Sequence, residues 1–385
     1  MAATGVDDER ARALRRAMLA TMARASAVGR TTDADVREAG SRLALALAQG
    51  GADAEAADAL AFVGFTHRLG KKVLRYDDAC EGDSSVAAVD EEGWTIAAAR
   101  DGAARESTMR TLRRAFVGRE RAFWREHGYD DACGFFSYVH DLESPSTNAM
   151  DVAALDVRRV AAKSFPRAAR ARWVEWWAHN RPHSHGHQMH FDSHDEGLNG
   201  IKHPICSVVV FVDGSCGGPT LVTNQKDGGS DASRLSLATR GWLVHPRDGR
   251  IVVFDGDYLH GVIPGRPDVA PANEEDARRV TVMFSFWDDM ETHETWKPKG
   301  SARPFPPSAA SKIEGYSWRA DFDLDENAND EDEPRGEPAP IVPVDHPWER
   351  VRDDDDAEED EEDEPNVKRC RTTRFPSYDE CFQGF

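Results

Sequence analysis

His190-Phe191-Asp192, followed much later by His260 and Arg279, sets the chemistry this chain can attempt. Two imidazoles and one carboxylate make a three-donor face for Fe(II), with positions left open for a co-substrate and oxygen. Residues i and i+2 of a strand point to the same side, so His190 and Asp192 can aim into one cleft. His260 comes 68 positions after Asp192. It follows Gly249 to Gly256, which reads as a buried strand and a tight turn, so it is placed at a rim. Arg279 opens the run Val280 to Trp287 and shares a face with Thr281. A guanidinium fork and a hydroxyl on one face can hold a carboxylate, while Arg278 points the other way.

Each residue also has a plainer reading. With 14 histidines in the chain, an H-x-D match arises by chance. His260 can be a rim histidine bonded to backbone, and Arg279 can be a surface ion pair. His194-Asp195-Glu196 offers a rival H-x-E, but in a turn leading to Gly197, where a shared face is not assured. Arg266 is a rival for Arg279, but it sits in a Pro-Gly turn context. The ladder His183, His185, His187 could suggest a zinc hydrolase. No Asp-His follows it, and the blander alternative is a polar rim strand.

Periodicity supplies the elements that must position these groups. The first hundred or so residues read as helical. A segment from Thr32 to Gly50 has a capped start and a glycine stop, and Ala57 to Leu69 is apolar at helical spacing. Ser107 to Glu126 predicts a third helix and Asp151 to Lys163 a further one, with Phe135 to Val139 strand-like between them. Pro166 fits the opening of another helix, carrying Trp173, Trp176 and Trp177 as a core-packing face. From His187 the period changes. Seven short β-rich runs follow, punctuated by glycine, proline and aspartate, which predicts a sandwich or barrel. The division expected is a helical region 1–130, a β domain 131–320 and an acidic tail 321–385, an α+β chain.

The formal charge of −21 misleads about the folded part. Residues 321–364 hold 22 acids against three arginines, which leaves the rest of the chain close to neutral. No basic face supports nucleic-acid binding. Residues 353–364 contain 11 acids in 12 positions, too little apolar surface to offset ordering, so 321–366 is expected to be disordered. Such a tail can solubilise the chain or contact basic proteins. The six cysteines form no CxxC pair, which suits a reducing compartment, cytoplasmic or nuclear. No run is long and apolar enough for a membrane span, and Asp7, Asp8 and Glu9 weigh against a transit peptide.

From about His183 to Trp287 the chain resembles the Fe(II)/2-oxoglutarate-dependent dioxygenases of the prolyl-hydroxylase-like type. The resembling pieces are His190-Phe191-Asp192, Gly217-Gly218-Pro219-Thr220, Gly249 to Phe254, His260-Gly261-Val262 and Arg279-Val280-Thr281. The resemblance implies a double-stranded β-helix (jelly roll), with iron held by His190, Asp192 and His260. It implies 2-oxoglutarate as co-substrate, its far carboxylate on Arg279 helped by Thr281, and ascorbate as an accessory reductant. Hydroxylation of a protein side chain or small molecule, with release of succinate and CO2, would follow. The 19 positions from His260 to Arg279 are more than the family usually has, and the insertion Arg266 to Ala277 accounts for them. Prolyl-4-hydroxylases of the collagen type carry lysine where Arg279 stands, a departure from that subgroup. The alternative from another class is a non-catalytic jelly-roll binding module with a partner-recruiting acidic tail.

Overall fold

Short apolar runs bounded by glycine and proline give the middle of the chain to strands, and the faces of those strands decide how its layers stack. The computed structural model describes residues 33–76, 85–127, 137–194, 201–227, 236–272, 277–290, 302–324, 333–352 and 380–385. Helices α1 (Asp33–Gln49) and α2 (Asp53–Phe62) precede strand β1 (His67–Leu69) and helix α3 (Lys71–Arg75). Strands β2 (Ala87–Val89) and β3 (Thr95–Asp101) lead to α4 (Glu106–Phe116) and α5 (Ala122–His127). Then come β4 (Ser137–Asp141), α6 (Ala149–Ala162), β5 (Trp173–Pro182), β6 (His187–His190) and β7 (Cys206–Asp213). Strands β8 (Thr220–Lys226), β9 (Arg240–Val244), β10 (Ile251–Phe254), β11 (Tyr258–Val262) and β12 (Arg278–Trp287) follow. The later strands are β13 (Ala302–Pro304), β14 (Glu337–Ala339), β15 (Val342–Asp345), β16 (Trp348–Arg350) and β17 (Cys381–Phe382).

A nine-stranded sheet runs β13-β4-β5-β12-β7-β10-β3-β14, with β2 also on β3. A five-stranded sheet runs β15-β9-β8-β11-β6, and a small one β16-β1-β17. The two larger sheets face each other. Trp177, Phe211, Phe254 and Met283 of one meet Val222, Trp242 and Tyr258 of the other. Alternation sends the neighbouring side chains outward. Trp176, Val208 and Phe284 pack against Leu112 and Phe116 of α4 and Val160 of α6. On the opposite side Met189, Leu221 and Leu259 pack with Leu43 and Leu47 of α1 and Leu74 of α3. The layering is helix, sheet, sheet, helix. Phe284 is fully buried at the first of these contacts, and its truncation to alanine would cost about 3–5 kcal/mol.

The strands predicted downstream of His187 form as expected, and the departures lie upstream of them and in the stretch after residue 320. The first hundred residues are not all helical: β3 pairs with β10 inside the large sheet. Ala57 to Leu69 divides into the end of α2 and strand β1. Ser107 to Glu126 is two helices, α4 and α5, parted where Gly118 takes φ +112°. Pro166 opens only a short 3-10 turn, Pro166–Arg170. The tryptophans that follow lie on β5, which pairs with β12 along its whole length. Large aromatics fit the pleat as well as they fit a helix face. The expected disorder from residue 321 fails for the described part of that stretch. Ala339, Ile341, Val344 and Trp348 are buried, and β14, β15 and β16 join three different sheets. The polyacidic run 353–364 lies outside the described residues, as do Phe135 and Phe136. Among the described residues no helix is long and apolar enough to cross a membrane.

Candidate metal centre

The edge strand β6 lies antiparallel to β11, with His190 directly opposite His260. Opposed residues of such a pair project from one face, which brings their rings to 4.4 Å between centroids. Asp192, two residues past His190, turns its Oδ1 toward both: 3.5 Å from His190 Nε2 and 3.7 Å from His260 Nε2. Donor atoms of His190, Asp192 and His260 all lie within 4.8 Å of one another, the one such cluster among the described residues.

The surroundings fix which atoms face inward. His190 Nδ1 lies 2.7 Å from the Gln188 carbonyl, and His260 Nδ1 3.1 Å from the Tyr258 carbonyl. A carbonyl only accepts, so each Nδ1 carries the proton and each Nε2 keeps its lone pair for the shared centre. His260 Nε2 is buried with no hydrogen-bond partner among the described residues. A lone pair left so in a dry site is a cost that a metal ion removes. Ser207 Oγ donates to Asp192 Oδ2 and lies 3.1 Å from Ser285 Oγ, while His203 Nδ1 holds the Asp192 carbonyl at 2.7 Å.

Burial pushes the Asp192 carboxyl up, but His260, His190 and the Ser207 hydroxyl more than offset it and hold it well below the usual carboxylate range. Burial, reinforced by His190, brings His260 down to about 4, so it is neutral near pH 7 as a ligand must be. For His190, burial acts downward, yet the adjacent Asp192 raises it above the ordinary histidine value. Two imidazoles and a carboxylate, with Nε2 atoms convergent and Nδ1 atoms tied back, fit Fe(II).

Arg279 is buried beside this centre. Its guanidinium donates to Thr220 Oγ1 at 3.1 Å and lies 5.0 Å from the Phe211 ring centre, while its Nε has no partner among the described residues. Gly217, at φ +93°, makes room for it, since a Cβ there would stand 2.6 Å from Arg279 Cδ. Thr281, expected to help Arg279, lines the same recess opposite His179. Arg181 directly faces Arg279 across the β5–β12 pair, and among the described residues no Asp or Glu lines the recess. Two guanidiniums so placed can attract an anion. Burial, with Arg181 adding to it, lowers Arg279 to about 10, so it remains charged at neutral pH.

A second cavity of about 380 Å³ borders His190 and Asp192, walled by Trp177, Phe191 and Trp287 with Glu175 and Gln188. His179 and His187 border both spaces. Burial pushes His187 down to about 3 and His179 well below the usual range, so both present neutral rings.

The rival assignments separate cleanly. His183 is a fastener, accepting from Gly217 N–H on Nδ1 and donating from Nε2 to the Arg266 carbonyl. It does not converge with His185 and His187. Arg266 is held by Asp268 and the Arg75 carbonyl. His194 stands 6.0 Å, ring to ring, from Trp287, and Glu196 lies outside the described residues. Sequence reasoning missed His179, Arg181, Ser207 and His203. Arg181 and His179 alternate on one strand, a signal hidden by the helical reading of that stretch. Ser207 carried no local signal.

No family model matches the chain, and no curated protein does. Solved structures overlap part of it. A Pseudomonas putida prolyl-4-hydroxylase is 16% identical at a TM-score of 0.30, over 50% of this chain and 88% of that one. HygX from Streptomyces hygroscopicus, with nickel and 2-oxoglutarate bound, is 10% identical at 0.28, over 54% and 91%. The epimerase SnoN, in complex with Fe3+, alpha ketoglutarate and nogalamycin RO, is 11% identical at 0.28, over 55% and 91%. Likenesses at this level carry no weight for the site, whose geometry stands on its own residues.

Proposed function

We propose that the protein is an Fe(II)- and 2-oxoglutarate-dependent dioxygenase built on a double-stranded β-helix. The observation that carries this reading is the convergence of His190, Asp192 and His260, with a buried, unpartnered Nε2 on His260. When bound, iron and 2-oxoglutarate supply oxygen activation, with succinate and CO2 as co-products. The protein's own residues do the rest. Ser207 and His203 hold Asp192 in place, and backbone carbonyls fix both histidine tautomers. Arg279, set by Thr220, faced by Arg181 and followed two residues along its own strand by Thr281, receives the far carboxylate of the co-substrate. The apolar wall of Trp177 and Met283 keeps water from the recess. The wider cavity at Trp287 and Phe191 admits the substrate, a protein side chain or a small molecule.

The test is succinate release from 2-oxoglutarate by the full chain, with Fe(II), oxygen and ascorbate. Release is expected in the wild type and lost in His190→Ala and Asp192→Ala proteins that keep the wild-type circular dichroism. Undiminished release in metal-controlled Asp192→Ala would refute the assignment.

A further inference from the structure

Strand β6 ends the five-stranded sheet, so among the described residues one of its edges has no neighbouring strand in that sheet. Its partner β11 meets it at His190 and His187. Between those residues, the Met189 N–H donates to Gln383 Oε1 at 2.8 Å. Gln383 is held there by its neighbours. Cys381 and Phe382 form β17, which pairs parallel with β1. Phe382 is fully buried, 5.4 Å ring to ring from Phe65, in the core that also holds the Met189 side chain.

The bond falls at an informative place. The Met189 N–H and the Gln188 C=O belong to one planar peptide group. That carbonyl is the one His190 Nδ1 meets at 2.7 Å. A continuous path therefore runs from Gln383 Oε1, through the 188–189 peptide, to the His190 ring and its inward Nε2. An acceptor on the N–H side polarises the amide and makes its carbonyl a stronger acceptor, because chained hydrogen bonds reinforce one another. A stronger hold on Nδ1–H orients the ring and raises the basicity of Nε2.

We infer that Gln383 is a positioning residue for the metal centre, acting on His190 through the 188–189 peptide. The inference rests on the reading of His190 as a metal ligand. It makes metal affinity depend on a segment nearly two hundred residues away in sequence. An acceptor oxygen is what the position requires, since the Met189 N–H can only donate.

The test uses the full chain with Gln383→Leu, which keeps the bulk and removes the acceptor, and Gln383→Glu, which keeps an acceptor oxygen. Co(II) is titrated anaerobically and followed by its visible absorption, and hydrogen exchange is read at the Met189 amide. Deleting a hydrogen bond to a ligand typically weakens metal binding ten- to a hundredfold, and here one peptide intervenes, so Gln383→Leu should weaken Co(II) by about three- to tenfold. Its Met189 amide should exchange faster, and Gln383→Glu should restore both. Two results would overturn the inference alone: Gln383→Leu with wild-type affinity while His190→Ala loses Co(II), or equal weakening by Gln383→Leu and Gln383→Glu. Co(II) binding that does not depend on His190 would bring down the metal reading, and the inference with it.

Discussion

Replacing Arg181 with glutamine should move stability and ligand affinity in opposite directions. Arg181 and Arg279 stand directly opposite on β5 and β12, facing a recess lined by no acidic residue among those described. Like charges so placed cost on the order of 0.2–1 kcal/mol in the ligand-free protein. Removing one should raise the melting temperature of metal-free protein by roughly 1–3 °C for a domain of this size. A bound dicarboxylate should reverse the sign, because a carboxylate beside Arg279 is also attracted by Arg181. Arg181 is only half-buried, so solvent screens its contribution to about 1 kcal/mol at most, or roughly two- to fivefold in 2-oxoglutarate affinity. Calorimetric titration of the metal-loaded protein and melting of the metal-free protein read the two effects separately. High salt should shrink both. A lower melting temperature with unchanged affinity would show that Arg181 serves the fold and would remove it from the anion site.

Three other outcomes follow from the geometry. Arg279→Met should raise the 2-oxoglutarate requirement by roughly tenfold to a hundredfold, from loss of a charge-assisted contact worth about 1.5–3 kcal/mol, with little change in metal affinity. Ser207→Ala removes the hydroxyl that donates to Asp192 and should weaken metal binding by about tenfold or more in an anaerobic titration. Metal-free protein should lose stability as pH falls from about 6.5 toward 4. His127 and His260, depressed to about 4, and His187, depressed to about 3, each by burial first, take up protons in the unfolded chain before they do in the folded one. His190 runs the other way. Its value is raised, so its contribution is full below about 6.5 and is lost as pH rises through the folded value. Urea midpoints that stay flat across that interval would contradict the neutral state of the buried rings.

The strands that bear the candidate ligands were legible because their information is local. Period-two spacing put His190 and Asp192 on one face, and a glycine-flanked turn put His260 at a rim. Their meeting depends on the pairing of β6 with β11, which no local pattern encodes, and it came only through the family resemblance. Trp173, Trp176 and Trp177 were misread because the spacing suits a helix face as well as a two-faced strand. Only pairing with β12 decides for the strand and exposes Arg181 and His179 as pocket residues. The described parts of the stretch after residue 320 were misjudged because the acidic run dominated the composition. Trp348, Val344 and Phe382, scattered around it, are enough to dock the flanking segments. Ser207 and His203 were invisible for the same reason as Gln383: each acts through a contact made by the fold.

The central claim is that His190, Asp192 and His260 hold one ferrous ion beside an anion site at Arg279. Anaerobic titration with Fe(II) and then 2-oxoglutarate tests it most directly, by the weak visible charge-transfer absorption of a chelated ferrous complex. One equivalent of Fe(II) should give the band only after 2-oxoglutarate is added, with no band in Asp192→Ala. A band that persists in Asp192→Ala, or none in the wild type, would contradict the account.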